Sequence, residues 1–78
     1  MEAKVEEALA KLRPGFQADG ADLKLKSVNG DTAEIELVLG PDACLECILP
    51  ADVLTTMLQR VIQEEVPEIQ TVKLIDPR

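Results

Sequence analysis

The sequence predicts a two-layer α+β fold, with the element order α-β-β-α-β, a three-stranded mixed sheet and both helices on one face of that sheet. Three observations lead to this prediction. Apolar residues recur at helical spacing in residues 2–13 and again in residues 52–66. Apolar and polar residues alternate in two neighbouring segments, 22–28 and 32–39, as they do in half-buried strands. A last apolar segment, 69–75, supplies a third strand.

The first helix is predicted over residues 2–13. Its apolar face would consist of Val5, Ala8, Leu9 and Leu12. We expect the helix to end at Arg13, because the residue before a proline, here Pro14, avoids helical backbone angles. Residues 16–21 would then form a loop.

The two segments that follow are predicted to form an antiparallel hairpin. In the first strand Leu23 and Leu25 face the core, and Lys24 and Lys26 face solvent. In the second strand the inward residues are Ala33, Ile35, Leu37 and Leu39. The pair Asn29-Gly30 lies between the strands and predicts a type I′ turn, in which both central residues take positive φ.

The second helix is predicted from an N-cap at Asp52 to about Val66, where Pro67 breaks it. Its buried stripe would be Leu54, Met57, Leu58, Val61, Ile62 and Val66. Since the helix crosses over and returns the chain to the sheet, the third strand should run parallel to the second. The second strand is the most apolar and is therefore placed in the centre.

Length and composition exclude several classes of function. The 78 residues are expected to form one domain, 1–78. The chain has no histidine, which excludes histidine-based catalysis and histidine metal ligands. It has no tryptophan or tyrosine, and Phe16 is its one phenylalanine, so aromatic platforms for stacking nucleic acid bases are missing.

The charge balance also limits the kinds of molecule that the protein is expected to bind. With 15 acidic and 8 basic residues the net charge is −7, which opposes binding to phosphate backbones and to anionic membranes. The N-terminus is charged and resembles no secretion signal, and no apolar run approaches the roughly 18 residues of a membrane span. We therefore expect a cytoplasmic protein that binds neither nucleic acid nor membrane.

Cys44 and Cys47 are the two cysteines, spaced C-x-x-C between the second strand and the second helix. If residues 48–50 extend the helical turn backward, Cys47 lies near a helix N-terminus, where thiolate is favoured. Thiolate ligates iron or zinc and also attacks disulfides. The spacing alone leaves open metal or cluster binding, dithiol redox chemistry and no function.

A closed metal site or a cubane cluster usually takes four ligands, whereas one chain offers two thiols. Asp42 and Glu46 could add oxygen ligands, but the thiols of a second chain suit soft metals better. A symmetric dimer would supply four thiols. The apolar neighbours of the cysteines are Leu45, Ile48 and Leu49. They could shield a cluster and form the dimer contact, or they could belong to the core.

Several segments together resemble those of one known family. Leu12-Arg13-Pro14 followed by Gln17–Leu23 is similar to the "RP…DGGD" segment of the C-terminal NifU-like (Nfu) domain. Ala43–Cys47 resembles its C-x-x-C loop, and Val66-Pro67-Glu68-Ile69 resembles its "VPEV" strand entry. Three residues differ from those common in the family: Ala21 stands for a second glycine, Ile48 for a proline and Val53 for a threonine.

The resemblance implies assembly or carriage of iron–sulfur clusters by a non-enzymatic protein. The cluster would be [4Fe–4S], with [2Fe–2S] or zinc as alternatives, and its ligands would be Cys44 and Cys47 of each chain in a cluster-bridged homodimer. Its partners would be cluster donors and apo client proteins, and the domain would act as a stand-alone module. The alternatives are a small dithiol redox protein and a NifU-like interaction module that uses no cluster. The fold also resembles KH-type RNA-binding domains, but the acidity and the missing G-x-x-G loop oppose RNA binding.

Overall fold

The computed structural model describes residues 2–78 and confirms the predicted order of elements. Helix α1 is Glu2–Ala18, strand β1 is Ala21–Asn29, strand β2 is Thr32–Leu39, helix α2 is Ala51–Glu65 and strand β3 is Thr71–Ile75. The sheet order is β1-β2-β3. As predicted, β2 lies in the centre, antiparallel to β1 and parallel to β3.

Both helices cover the same face of this sheet. Their buried residues meet alternate residues of the strands in one hydrophobic cluster, where Leu23 pairs with Leu37 and Ile35 lies beside Leu74. Five residues expected in the core are only half-buried at its margin, namely Leu12, Leu25, Leu39, Met57 and Val61. The fully buried members are Val5, Ala8, Leu9, Ala33, Ile35, Leu54, Leu58, Ile62, Val66 and Ile69.

Strand β1 contains a β-bulge that the simple alternation of residues did not predict. The pairing register shifts between Leu25 and Ser27, so Lys26 is the extra residue of the bulge. As a result Val28 pairs with Ala33 and packs against the core, three positions after Leu25.

The prediction that α1 ends at Arg13 is wrong, because the helix continues through Pro14 to Ala18. Proline removes the hydrogen bond to the carbonyl four residues earlier, that of Ala10. Ala10 and Pro14 are both exposed, so water can satisfy that carbonyl. The continued helix packs Phe16 against the core.

The guanidinium of Arg13 ties this helix to the sheet. Its Nε donates to the carbonyl of Leu23 at 3.0 Å, and its Nη2 donates to Glu6 at 2.9 Å. Two residues earlier in α1, the ammonium of Lys11 pairs with the carboxylate of Glu65 and joins α1 to α2.

The hairpin turn is displaced by one residue from its predicted position. Asn29 pairs with Thr32, so the two loop residues are Gly30 and Asp31. Gly30 has φ +61°, and no residue other than glycine has positive φ in the described chain, residues 2–78. A positive φ at the first loop residue alone is the pattern of a type II′ turn rather than type I′.

The predicted N-cap of α2 at Asp52 is also wrong. The cap is Pro50 and the helix begins at Ala51, with the amide of Leu54 bonded to the carbonyl of Pro50 at 2.8 Å. Asp52 lies in the first turn, where its negative charge faces the positive end of the helix. The helix ends before Pro67, as predicted.

Strand β3 begins two residues later than predicted. Ile69 precedes the strand and is nevertheless fully buried. Among residues 2–78, no helix has both the length and the apolar composition needed to cross a membrane.

Candidate functional site

The structure brings Cys44 and Cys47 together on the loop between β2 and α2. Cys44 has extended backbone angles, and a 3-10 turn follows over Leu45–Cys47. The amide of Cys47 donates to the carbonyl of Cys44 at 3.0 Å, which closes this turn. The two Cα atoms lie 5.3 Å apart and the sulfurs are joined in a disulfide. Reduction by two electrons would therefore release two neighbouring thiols.

The residues around the cysteines divide between core and surface. Cys47 is exposed and Cys44 is half-buried. Leu45 is 51% exposed and Leu49 is 42% exposed, so these two apolar side chains project at the surface on either side of Cys47. Ile48 is 7% exposed and belongs to the core. Of the three apolar neighbours, only Leu45 and Leu49 remain available for contact with another molecule.

Residues 40–50, between β2 and α2, are called the thiol loop here, and backbone hydrogen bonds hold its first half against the turn that joins α1 to β1. The amide of Cys44 donates to the carbonyl of Asp19 at 2.9 Å. Gly20 has φ +79°, and a Cβ atom built on it would lie 2.9 Å from the Cα of Ala43. Glycine is therefore required at position 20. The next residue, Ala21, needs no such freedom, because it begins β1 and packs its methyl group in the core.

An arginine that the sequence reasoning missed holds the second half of the loop. Nη1 of Arg78 donates to the carbonyl of Ile48 at 3.3 Å, and Nη2 donates to the carbonyl of Leu49 at 2.8 Å. The same guanidinium is paired with Asp76. The bonds span 29 and 30 positions of the sequence, and no local pattern around Arg78 indicates them.

The expectation that residues 48–50 extend the helical turn back to Cys47 is wrong. Ile48 has φ −91° and ψ 135°, and Pro50 has φ −56° and ψ 153°, so the chain is extended between the 3-10 turn and α2. Cys47 thus lies outside α2. The effect of a helix dipole falls off within the first turn, so α2 gives Cys47 little support as a thiolate.

An apolar cavity of about 260 Å³ opens beside Cys47. Leu12 and Phe16 of α1, Leu49 of the loop and Met57 of α2 form most of its walls, and Asp19 also lines it. A group bound at Cys47 would therefore have an apolar wall on one side. A larger groove of about 490 Å³ runs along α2 from the far side of Met57, lined by Asp52, Val53, Thr56, Met57, Arg60 and Val61.

The charges near the thiol loop are mainly acidic. Residues 27–59 include Asp42, Glu46 and Asp52 and contain no lysine or arginine. Within residues 2–78, no group of three or more His, Cys, Asp or Glu side chains is placed to hold a metal ion. Asp42 and Glu46 therefore do not complete a site with the two cysteines of one chain.

The model of the family described as NifU-like domain matches residues 5–73. A relative named nitrogen fixation protein NifU 2, from Rhodobacter capsulatus, is 34% identical over an alignment of 74 residues that covers 87% of this chain. The alignment covers 50% of the relative, so this chain spans about half the length of the curated protein that it matches.

Proposed function

Because this chain belongs to the NifU-like domain family, we propose that it assembles or carries iron–sulfur clusters, with Cys44 and Cys47 as its ligands. Family membership supports a role in iron–sulfur cluster assembly, and the name of the relative, nitrogen fixation protein NifU 2, agrees with it. The observation that carries the proposal is the adjacent pair of cysteines on an exposed loop. In this role the protein is a scaffold or carrier rather than an enzyme, and the cluster is its cargo.

The donor set suits iron. Reduction of the disulfide yields two thiols, and thiolates are the usual protein ligands of iron–sulfur clusters. The chain has no histidine and no further cysteine that could add a nitrogen or sulfur ligand. A [4Fe–4S] cluster takes four protein ligands. Two copies of the chain provide four thiolates, so the cluster would bridge a homodimer.

The surface around the loop is consistent with such a shared site. Leu45 and Leu49 project beside the cysteines and can contact the second chain. The cavity beside Cys47 adds an apolar wall that limits access of water to bound cargo. Two chains of net charge −7 repel each other, so without the cluster the protein should be monomeric or weakly associated. Cluster donors would be the partners of the cluster-free form, and apo client proteins would be the partners of the loaded form.

The experiment is anaerobic reconstitution of the reduced protein with iron and sulfide. We expect a coloured dimer with about one [4Fe–4S] cluster per two chains, measured as iron and sulfide per chain and as mass in solution. Cys44→Ser and Cys47→Ser should each abolish stable loading. The matched controls are Asp42→Asn and Glu46→Gln, which alter the loop without removing sulfur and should load like wild type. A colourless, monomeric wild type, or equal loading of Cys44→Ser, would refute the proposal.

The disulfide between Cys44 and Cys47 favours one second function, that of a dithiol redox protein. In that case the domain should catalyse reduction of a disulfide substrate and lose this activity in Cys47→Ser. It should also exchange with glutathione at a defined potential. Rapid turnover of this kind by cluster-free protein would place redox chemistry ahead of cluster carriage.

A further inference from the structure

The guanidinium of Arg78 joins the end of the chain that follows β3 to the thiol loop. It donates to two consecutive backbone carbonyls, those of Ile48 and Leu49, directly after Cys47. In the described part of the chain, residues 2–78, no other group donates a hydrogen bond to these two carbonyls. Ile48 and Leu49 belong to no helix or strand, so the hydrogen bonds from Arg78 are the main polar contacts that hold this part of the loop.

Asp76 orients the guanidinium. Nε of Arg78 lies 3.0 Å from each carboxylate oxygen of Asp76, and Nη2 lies 2.6 Å from Oδ2. The backbone amide of Arg78 also donates to Oδ1 at 2.9 Å. These hydrogen bonds lower the pKa of Asp76 and raise that of Arg78, so both groups stay charged over a wide pH range. A planar guanidinium held on one edge presents its other donors in a fixed direction.

The two halves of the thiol loop are thus held by different means. The amide of Cys44 is bonded to the carbonyl of Asp19, within the backbone that joins α1 to β1. Among residues 2–78, the only hydrogen bond of Cys47 is the one within the 3-10 turn, to the carbonyl of Cys44, and its sulfur is bonded to that of Cys44. In the reduced protein, movement of Ile48 and Leu49 would therefore displace Cys47 relative to Cys44.

We infer that Arg78, oriented by Asp76, is a positioning residue that sets the placement of the Cys47 sulfur relative to that of Cys44 once the disulfide is reduced. The inference rests on the proposed function in one respect: the thiols of Cys44 and Cys47 are the ones that would hold the cluster. Arg78 does not touch the sulfurs. It acts through the carbonyls of Ile48 and Leu49.

The test uses the cluster-free protein, so that its result does not depend on cluster loading. Hydrogen exchange of the Cys47 amide in the reduced protein reports on the second half of the loop, and exchange of the Cys44 amide serves as an internal control. The equilibrium constant for oxidation by glutathione reports on the placement of the sulfurs. In that reaction one oxidised glutathione and the protein dithiol give the protein disulfide and two reduced glutathiones.

In Arg78→Gln we expect the Cys47 amide to exchange about tenfold faster, the size of change that loss of hydrogen bonds from a charged donor gives. The equilibrium constant for disulfide formation should fall several-fold. Arg78→Lys keeps the charge but loses the planar fork, and it should behave like Arg78→Gln. Asp76→Asn should also speed exchange of the Cys47 amide and lower the equilibrium constant for disulfide formation. If Arg78→Gln fails to fold, this variant tests the inference in its place.

The matched control is Arg60→Gln, which removes one positive charge from α2. Within residues 2–78 Arg60 makes no hydrogen bond or ion pair, so neither readout should change. Wild-type exchange and oxidation in Arg78→Gln would overturn the inference. So would wild-type behaviour of Arg78→Lys, because net charge alone would then account for the effect. If wild type fails to load a cluster while Arg78→Gln shifts both readouts, the proposed function fails and the positioning role stands.

Discussion

The backbones of Gly20 and Gly40 are in direct contact: the amide of Gly40 donates to the carbonyl of Gly20 at 2.9 Å, and a Cβ on Gly40 would lie 2.9 Å from that carbonyl oxygen. This contact brings the turn after α1 against the start of the thiol loop. The bond from the amide of Cys44 to the carbonyl of Asp19 lies next to it. The placement of Cys44 therefore depends on two glycines outside the C-x-x-C motif: Gly20, which is distant in sequence, and Gly40, which lies at the start of the thiol loop.

Gly20→Ala should destabilise the protein. The substitution forces a positive φ on alanine, which costs about 1–2 kcal/mol, and it places a methyl group against the backbone of Ala43. The matched control is Gly15→Ala in α1, where a Cβ meets no atom within 4 Å. That control should stabilise the helix by about 0.5–1 kcal/mol. Urea unfolding followed by circular dichroism measures both, and equal midpoints would contradict the contact.

Leu58→Ala should cost roughly 2–5 kcal/mol, because Leu58 is fully buried in α2 and the smaller residue leaves a cavity. Val53→Ala on the same helix is the control. Val53 is 47% exposed, so its truncation should change the free energy of unfolding by less than about 0.5 kcal/mol. An unchanged midpoint for Leu58→Ala would show that this face of α2 does not pack as the structure has it.

The carboxyl group of Asp76 should titrate below its ordinary pKa of 3.8, because the guanidinium of Arg78 donates hydrogen bonds to the charged form. A lowered folded-state pKa stabilises the fold above the unfolded value, and this contribution is lost as the pH falls below 3.8 through the lowered pKa. Carbon NMR of the Asp76 carboxyl measures the titration. In Arg78→Gln the pKa should return toward 3.8, and an unaltered titration would show that the pair does not form in solution.

The surface residues beside the cysteines should matter for the loaded dimer rather than for the fold. Leu45→Ser and Leu49→Ser remove apolar side chains that are about half exposed, so the free energy of unfolding should change little. In the proposed dimer both variants should dissociate more readily, as measured by sedimentation of the loaded protein at decreasing concentration. Ile48→Ser provides the contrast, since Ile48 is buried and its loss should destabilise the monomer itself. Loaded Leu45→Ser and Leu49→Ser dimers as stable as wild type would exclude these residues from the interface.

The sequence alone determined the order and type of the elements. The period of apolar residues distinguishes helices from strands, and burial of those residues is the main source of stability, so the pattern predicts the fold directly. It also identified Cys44 and Cys47 as the candidate site, because two cysteines in a chain without histidine leave few other ligands. Their role as ligands remains a prediction.

Only the tertiary structure decided the features that depend on contacts between distant segments. Pro14 indicates a helix end in sequence, yet α1 continues because the freed carbonyl is at the surface and Phe16, two residues later, packs against the core. Gly20 is required by the backbone of Ala43, and the loop after Cys47 is held by Arg78. Local patterns report the periodicity of one segment. These contacts form where two distant segments pack against each other, so the pattern of residues in either segment alone does not predict them.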